Sequence, residues 1–119
     1  MQNLNLTRLI EDIRQFAKAR NWEQYHTPKN ISMALSVEAS ELAEIFQWLT
    51  SEESYNVKKD ATQIQKVKDE VADILVYLLR MVDLLDIDVN EAIKNKMKKN
   101  AEKYPVDKAH GNAKKYDEY

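Results

Sequence analysis

One glycine and two prolines are all the turn chemistry available to this chain of 119 residues. Sandwiches and barrels need turn residues roughly every 8–12 positions. A chain this poor in them is left with long helices. Four are predicted. The first runs from about Leu4 to Ala19, with Leu6, Leu9, Ile10, Ile13, Phe16 and Ala17 at helical spacing. Thr27 before Pro28 reads as an N-cap with proline at the first helical position, opening a second helix that should reach about Leu49. Thr50–Lys59 is polar and irregular, with room for one helical turn. Asp60 caps a third helix running to about Leu85, striped by Ile64, Val67, Val71, Ile74, Leu78, Val82 and Leu85. Asp88 and Glu91 stand at capping-box spacing before a fourth helix that ends ahead of Pro105. From about residue 106 the chain reads as an extended polar tail. No repeat or low-complexity stretch divides residues 1–119, so a single all-α domain, a four-helix bundle, is expected.

A chain of this length should bury roughly two-thirds of the surface it exposes when unfolded. It has no cysteine, which excludes disulfides, thiolate metal sites and a cysteine nucleophile. No apolar run approaches the ~20 residues of a membrane span, and Met1–Thr7 is too polar for a signal peptide. A cytoplasmic protein with no membrane partner is expected. The net charge of −2 argues against a nucleic-acid polymer as partner. That charge is uneven: Met1–Asp88 holds 10 basic and 15 acidic residues, Val89–Tyr119 eight lysines and five acids. The basic end is either a solvated tail or a source of cations for an anionic ligand held by the acidic body.

The third helix is apolar on more than one face. Ile74 and Leu78 point one way, Val76 and Leu79 the other. Four helices of these lengths cannot surround one of their own members, so a homo-oligomer is expected, at least a dimer and preferably a tetramer made of two dimers.

Acids stand where apolar residues belong. On the second helix Ile31, Leu35, Leu42, Ile45 and Leu49 fall within about 40° of one another, and Glu38 falls in the same sector. An unpaired carboxylate is costly to bury, so Glu38 needs a cation, a metal or a proton. Glu41 follows one turn later. On the third helix Glu70 and Asp73 repeat the spacing beside Val67, Val71 and Ile74. A lone pair of this kind is ordinarily exposed and salt-bridged. Two matched pairs on facing helices would converge four carboxylates that repel unless cations lie between them. Oxygen-only ligation suits Mg²⁺ first and Mn²⁺ second. Trp48 and Tyr77 lie on the acid-bearing side of their helices, and Trp22, Tyr25 and His26 lie in the loop before the second helix. Aromatic faces beside a metal suit a base or sugar, though core packing is the ordinary reading of each. Lys96, Asn100 and Lys103 share one edge of the fourth helix, where they could neutralise phosphate oxygens.

Together these features resemble the MazG-like all-α nucleoside triphosphate pyrophosphohydrolases, and within them the dCTP pyrophosphatase branch. The matching stretches are Glu38-x-x-Glu41, Glu70-x-x-Asp73, Trp22–Asn30, Glu41–Trp48 and Lys103–Val106, and the likeness extends from about Leu9 to Lys114-Lys115-Tyr116. The resemblance implies an oligomeric helical bundle holding Mg²⁺ on the four acids. It implies hydrolysis between the α- and β-phosphates of dCTP or a related or modified deoxynucleoside triphosphate, in the upkeep of the nucleotide pool. It adds Tyr104 and Lys115 to the substrate-binding set of Trp22, His26, Trp48, Tyr77, Lys96, Asn100 and Lys103. Glu41, where metal does not occupy it fully, is the candidate to take a proton from water. One departure bears on the base: the branch has a histidine on the first helix where this chain has Ile13. The other reading is a non-catalytic helical module that binds a nucleotide or a partner protein through the same pocket.

Overall fold

The computed structural model describes residues 3–119, so positions 1 and 2 of the polar opening segment lie outside the described residues. Among the described residues the chain is all-helical. In order it forms α1 (Leu6–Ala19), α2 (Pro28–Phe46), α3 (Ser51–Asn56), a 3₁₀ turn (Val57–Lys59), α4 (Ala61–Leu84), α5 (Val89–Lys103), α6 (Val106–Ala109) and a last 3₁₀ turn (Tyr116–Glu118). It divides into two compact units, the first ending at Asp86 and the second spanning Ile87–Tyr119. Among the described residues no helix is long and apolar enough to cross a membrane.

Side-chain caps set the boundaries. Asn5, Thr27, Asp60 and Asp88 each accept a main-chain N–H at the start of α1, α2, α4 and α5. Asp88 takes the amide of Glu91 at 3.0 Å, which supplies one half of the expected capping box. The second helix ends at Phe46 rather than Leu49, and the cause is Thr50. Its hydroxyl accepts from Glu53 N while the Glu53 carboxylate accepts from Thr50 N, a complete capping box. That box opens α3, so the stretch read as irregular is helical almost throughout.

In the first unit α2 packs along α4, and α1 also packs on α4. The hydrophobic side chains buried there are Ala17, Ile31, Val57 and Leu79. Leu79, expected on the face turned outward, lies inside instead. The outward face of α4 is Val71, Leu75 and Leu78, followed by Leu85, all of them exposed. Met33 and Val37 are likewise bare on α2. Within the second unit, Tyr104 meets Tyr116 and Tyr119 edge-on, with centroids 6.2 and 6.1 Å away. The stretch beyond residue 106 makes two helical turns where an extended tail was expected. α6 closes on the Pro105 carbonyl through the amides of Lys108 and Ala109, and Gly111 leaves it at φ +76°.

Candidate functional site

The packing of α2 on α4 brings acids from both helices together. Carboxylate oxygens of Glu38, Glu41 and Glu70 lie within 4.8 Å of one another. Three negative charges at such separations repel strongly, and the surroundings offer little relief. Glu38 Oε2 and Glu70 Oε2 are buried and have no hydrogen-bond partner among the described residues. The Glu38 carboxyl is pushed above the usual carboxylate range, first by the proton it would share with Glu70 and then by loss of water. Glu41, the exposed member, is raised first by the proton it would share with Glu38. Buried carboxylate oxygens without a hydrogen-bond donor among the described residues, in an oxygen-only set, fit a hard divalent ion. Asp73 stands outside this close group. It lies one turn after Glu70, and its charge acts on both Glu38 and Tyr77.

A cavity of about 390 Å³ takes Asp73 as one of its walls. Ile13, Phe16, Trp22, Val76 and Tyr77 supply its apolar surface. Its other polar groups are Asp12, His26 and Arg80. The end of α1 places the tryptophan. Asn21 adopts φ +54°, and the amides of Asn21 and Trp22 turn back to the carbonyls of Lys18 and Ala17 at 3.0 and 2.9 Å. This is a Schellman stop with asparagine in the left-handed position. It sets the Trp22 ring edge-on to Phe16 at 5.8 Å and tilted against His26 at 6.2 Å. Burial, then the charges of Glu38 and Asp73, raises the Tyr77 hydroxyl above its usual value of 10.0, so it keeps its proton at neutral pH. Arg80 Nε donates to His26 Nδ1 at 3.1 Å, and desolvation followed by the Arg80 charge lowers the imidazole below 6.5. His26 is therefore neutral, with its proton on Nε2.

A second cavity, about 490 Å³, is walled by Glu41, Glu70 and also Gln63, Lys66 and Asp69. The acids thus border an aromatic space and a polar one.

Trp22, His26 and Tyr77 line one cavity together with Asp73. Trp48 does not join them. It is 86% exposed beyond the end of α2 and lines neither cavity. Lys96, Asn100, Lys103, Tyr104 and Lys115 belong to the second unit. There Lys103 Nζ stands 4.9 Å from the Tyr116 ring, and the Lys115 amide donates to Glu118. Asp12 and Arg80 are cavity residues that the sequence reading passed over. Arg80 had a signal of the kind that exposed Glu38, a charge inside the apolar run from Ile74 to Val82. Asp12 gave no such sign.

Replacing Trp22 with Ala should weaken nucleotide binding about tenfold, the scale of one lost base–aromatic stack. Affinity for Mn²⁺ alone should not change, because an indole offers a cation site no ligand. Separate calorimetric titrations with a non-hydrolysable nucleotide and with Mn²⁺ measure this. Equal losses for both would make Trp22 a packing residue only.

Comparison with known proteins supplies the context. Residues 33–119 match the family model described as the MazG-like family. The chain is 39% identical over 111 residues to dCTP pyrophosphatase 1 of Bos taurus, covering 90% of this chain and 66% of that protein. It is 36% identical over 113 residues to dCTP pyrophosphatase 1 of Homo sapiens, covering 92% and 66%. It therefore spans about two thirds of the length of these curated relatives. Among solved structures, a pyrophosphatase from Archaeoglobus fulgidus superposes with a TM-score of 0.79 at 40% identity, over 88% of this chain and 96% of that one.

Proposed function

This chain belongs to the MazG-like family, and from that premise we propose that it is a Mg²⁺-dependent nucleotide pyrophosphohydrolase. It cleaves dCTP or a related or modified deoxynucleoside triphosphate to the monophosphate and pyrophosphate, keeping the cytoplasmic nucleotide pool in order. The observation that carries this reading is the group of three carboxylates from two helices, two of them with buried oxygens that find no hydrogen-bond partner among the described residues. A binding module has no use for so costly an arrangement. The dCTP pyrophosphatases to which the chain is similar support the choice of substrate.

Glu38, Glu41, Glu70 and Asp73 would hold the metal. When bound, a divalent cation neutralises phosphate oxygens and makes water more acidic. The remaining work falls to the chain. Trp22 and Tyr77 flank the base and sugar in the aromatic cavity, so that Asp73 marks the passage from nucleoside to phosphates. Lys66 is the cation of the polar cavity, where the outer phosphates lie. Glu41, open to solvent at the edge of the cluster, takes the proton of the attacking water. A panel of nucleoside triphosphates with and without Mg²⁺, read by released pyrophosphate, tests the proposal. Metal-dependent release is expected, and none from any nucleotide would defeat it.

The active form is proposed to be a homo-oligomer, a tetramer of two dimers. Val71, Leu75 and Leu78 make an exposed apolar stripe on α4, and soluble monomers rarely leave a large patch open. Light scattering at micromolar concentration should give a multiple of 13.9 kDa. A fully active species at 13.9 kDa would overturn the assembly.

A further inference from the structure

Arg80 is 4% exposed, the one buried charged residue among the described residues. A guanidinium taken this far from water is costly unless its N–H groups are used. Nε donates to His26 Nδ1 and Nη1 to Asp83 Oδ2, both at 3.1 Å. Nη2 donates to nothing among the described residues, yet Arg80 lines the aromatic cavity. Asp83 has little more to give, because Arg14 holds both its oxygens, at 2.9 and 2.6 Å. Asp12, another wall of that cavity, has neither a hydrogen bond nor an ion pair among the described residues. One space thus holds an unused cationic donor and an unused anionic acceptor beside Trp22 and Tyr77. Neither is needed by the carboxylate cluster.

We propose that Arg80 and Asp12 read the base of the nucleotide, Arg80 donating from Nη2 to a ring carbonyl and Asp12 accepting from an exocyclic amine. Cytosine and guanine carry both groups. Uracil and thymine lack the amine, and adenine lacks the carbonyl. The inference rests on the nucleotide reading above and assigns its selectivity to residues outside the metal cluster. Rejection follows from what docking removes: a wrong base displaces water from Arg80 or Asp12 and returns no hydrogen bond in its place.

The test is kcat/KM for dCTP, dGTP, dUTP and dATP with Mg²⁺ in the wild-type protein, Asp12→Asn and Arg80→Lys. The wild type should favour dCTP or dGTP over dUTP and dATP by about 100-fold or more. Asp12→Asn places an amide that also donates, so it should cut the dCTP-to-dUTP ratio at least about tenfold. Arg80→Lys should lower dCTP turnover more than dATP turnover, because adenine offers its cation no carbonyl. Circular dichroism checks each fold. If Arg80→Lys fails to fold, Asp12→Asn, an exposed position on α1, decides alone. An unchanged dCTP-to-dUTP ratio in Asp12→Asn overturns the assignment, as does a wild type indifferent to the base. A protein that releases pyrophosphate from none of the four defeats the hydrolase reading instead. The same ratios are then read as dissociation constants for non-hydrolysable analogues.

Discussion

Glu38→Gln should abolish turnover, by roughly a thousandfold or more, while the fold remains intact and the metal-free protein gains stability. The activity loss follows from removing a charged oxygen from a site whose cation supplies several kcal/mol of transition-state stabilisation. The gain follows from the buried Glu38 Oε2 and Glu70 Oε2, which lack a donor. The Gln amide supplies one and removes a negative charge, worth about 1 kcal/mol. Thermal melts with and without Mg²⁺ show both effects together. In the wild type, Mg²⁺ should raise Tm and chelation should return it. In Glu38→Gln the metal-free Tm should start higher and respond little to Mg²⁺. A variant with activity within a few-fold of wild type at saturating Mg²⁺ would remove Glu38 from the metal site.

Asp83→Ala should destabilise the fold by about 3–5 kcal/mol, the usual cost of stripping one partner from a buried ion pair. That is a large share of the ~5–15 kcal/mol that holds a domain together. Asp83 joins α1 to α4: it receives the fork of Arg14 and, at 3.1 Å, Nη1 of Arg80. Without it Arg80 keeps only His26. The pH dependence has a defined sign. The Arg14 hydrogen bonds hold the Asp83 carboxyl below its usual 3.8 in the fold. The stabilisation is therefore complete above that value and disappears as pH falls through it toward the lower folded one. Urea titrations of wild type and Asp83→Asn at a series of pH values should show a stability gap that narrows only below about pH 4. A gap independent of pH would mean that Asp83 acts as a neutral acceptor and not as a charge.

The helices were legible because their ends are written in short side chains. Thr27, Asp60 and Asp88 each do in the fold what their types and positions announce. Thr50 carries the same message three residues before Glu53, and it passed unread because no apolar stripe follows it. The acids were legible for a different reason. Glu38 interrupts an apolar sector, and a charge there must be satisfied by something beyond its own helix. Periodicity says which side of a helix is apolar, but not what covers it. Val71, Leu78 and Leu85 of the predicted stripe therefore read as core, although they face outward in the single chain. Leu79, read as outward, is inside because α4 receives packing helices on a neighbouring sector. Trp48 shows the same limit. Its helical angle suited the acid side, but α2 stops at Phe46 and the ring leaves that face. Arg80 interrupts an apolar run as Glu38 does, but which groups satisfy it is set by the third dimension, which brings His26 and Asp83 against it.

In the proposed function Glu38, Glu41, Glu70 and Asp73 hold a cation, and cleavage falls between the α- and β-phosphates. Phosphorus NMR of dCTP incubated with the protein and Mg²⁺ reads it directly. Resonances of a nucleoside monophosphate and pyrophosphate should grow in equal amounts, and chelating the metal should stop them. Orthophosphate appearing with dCDP, or a triphosphate left intact while Mg²⁺ is present, would contradict it.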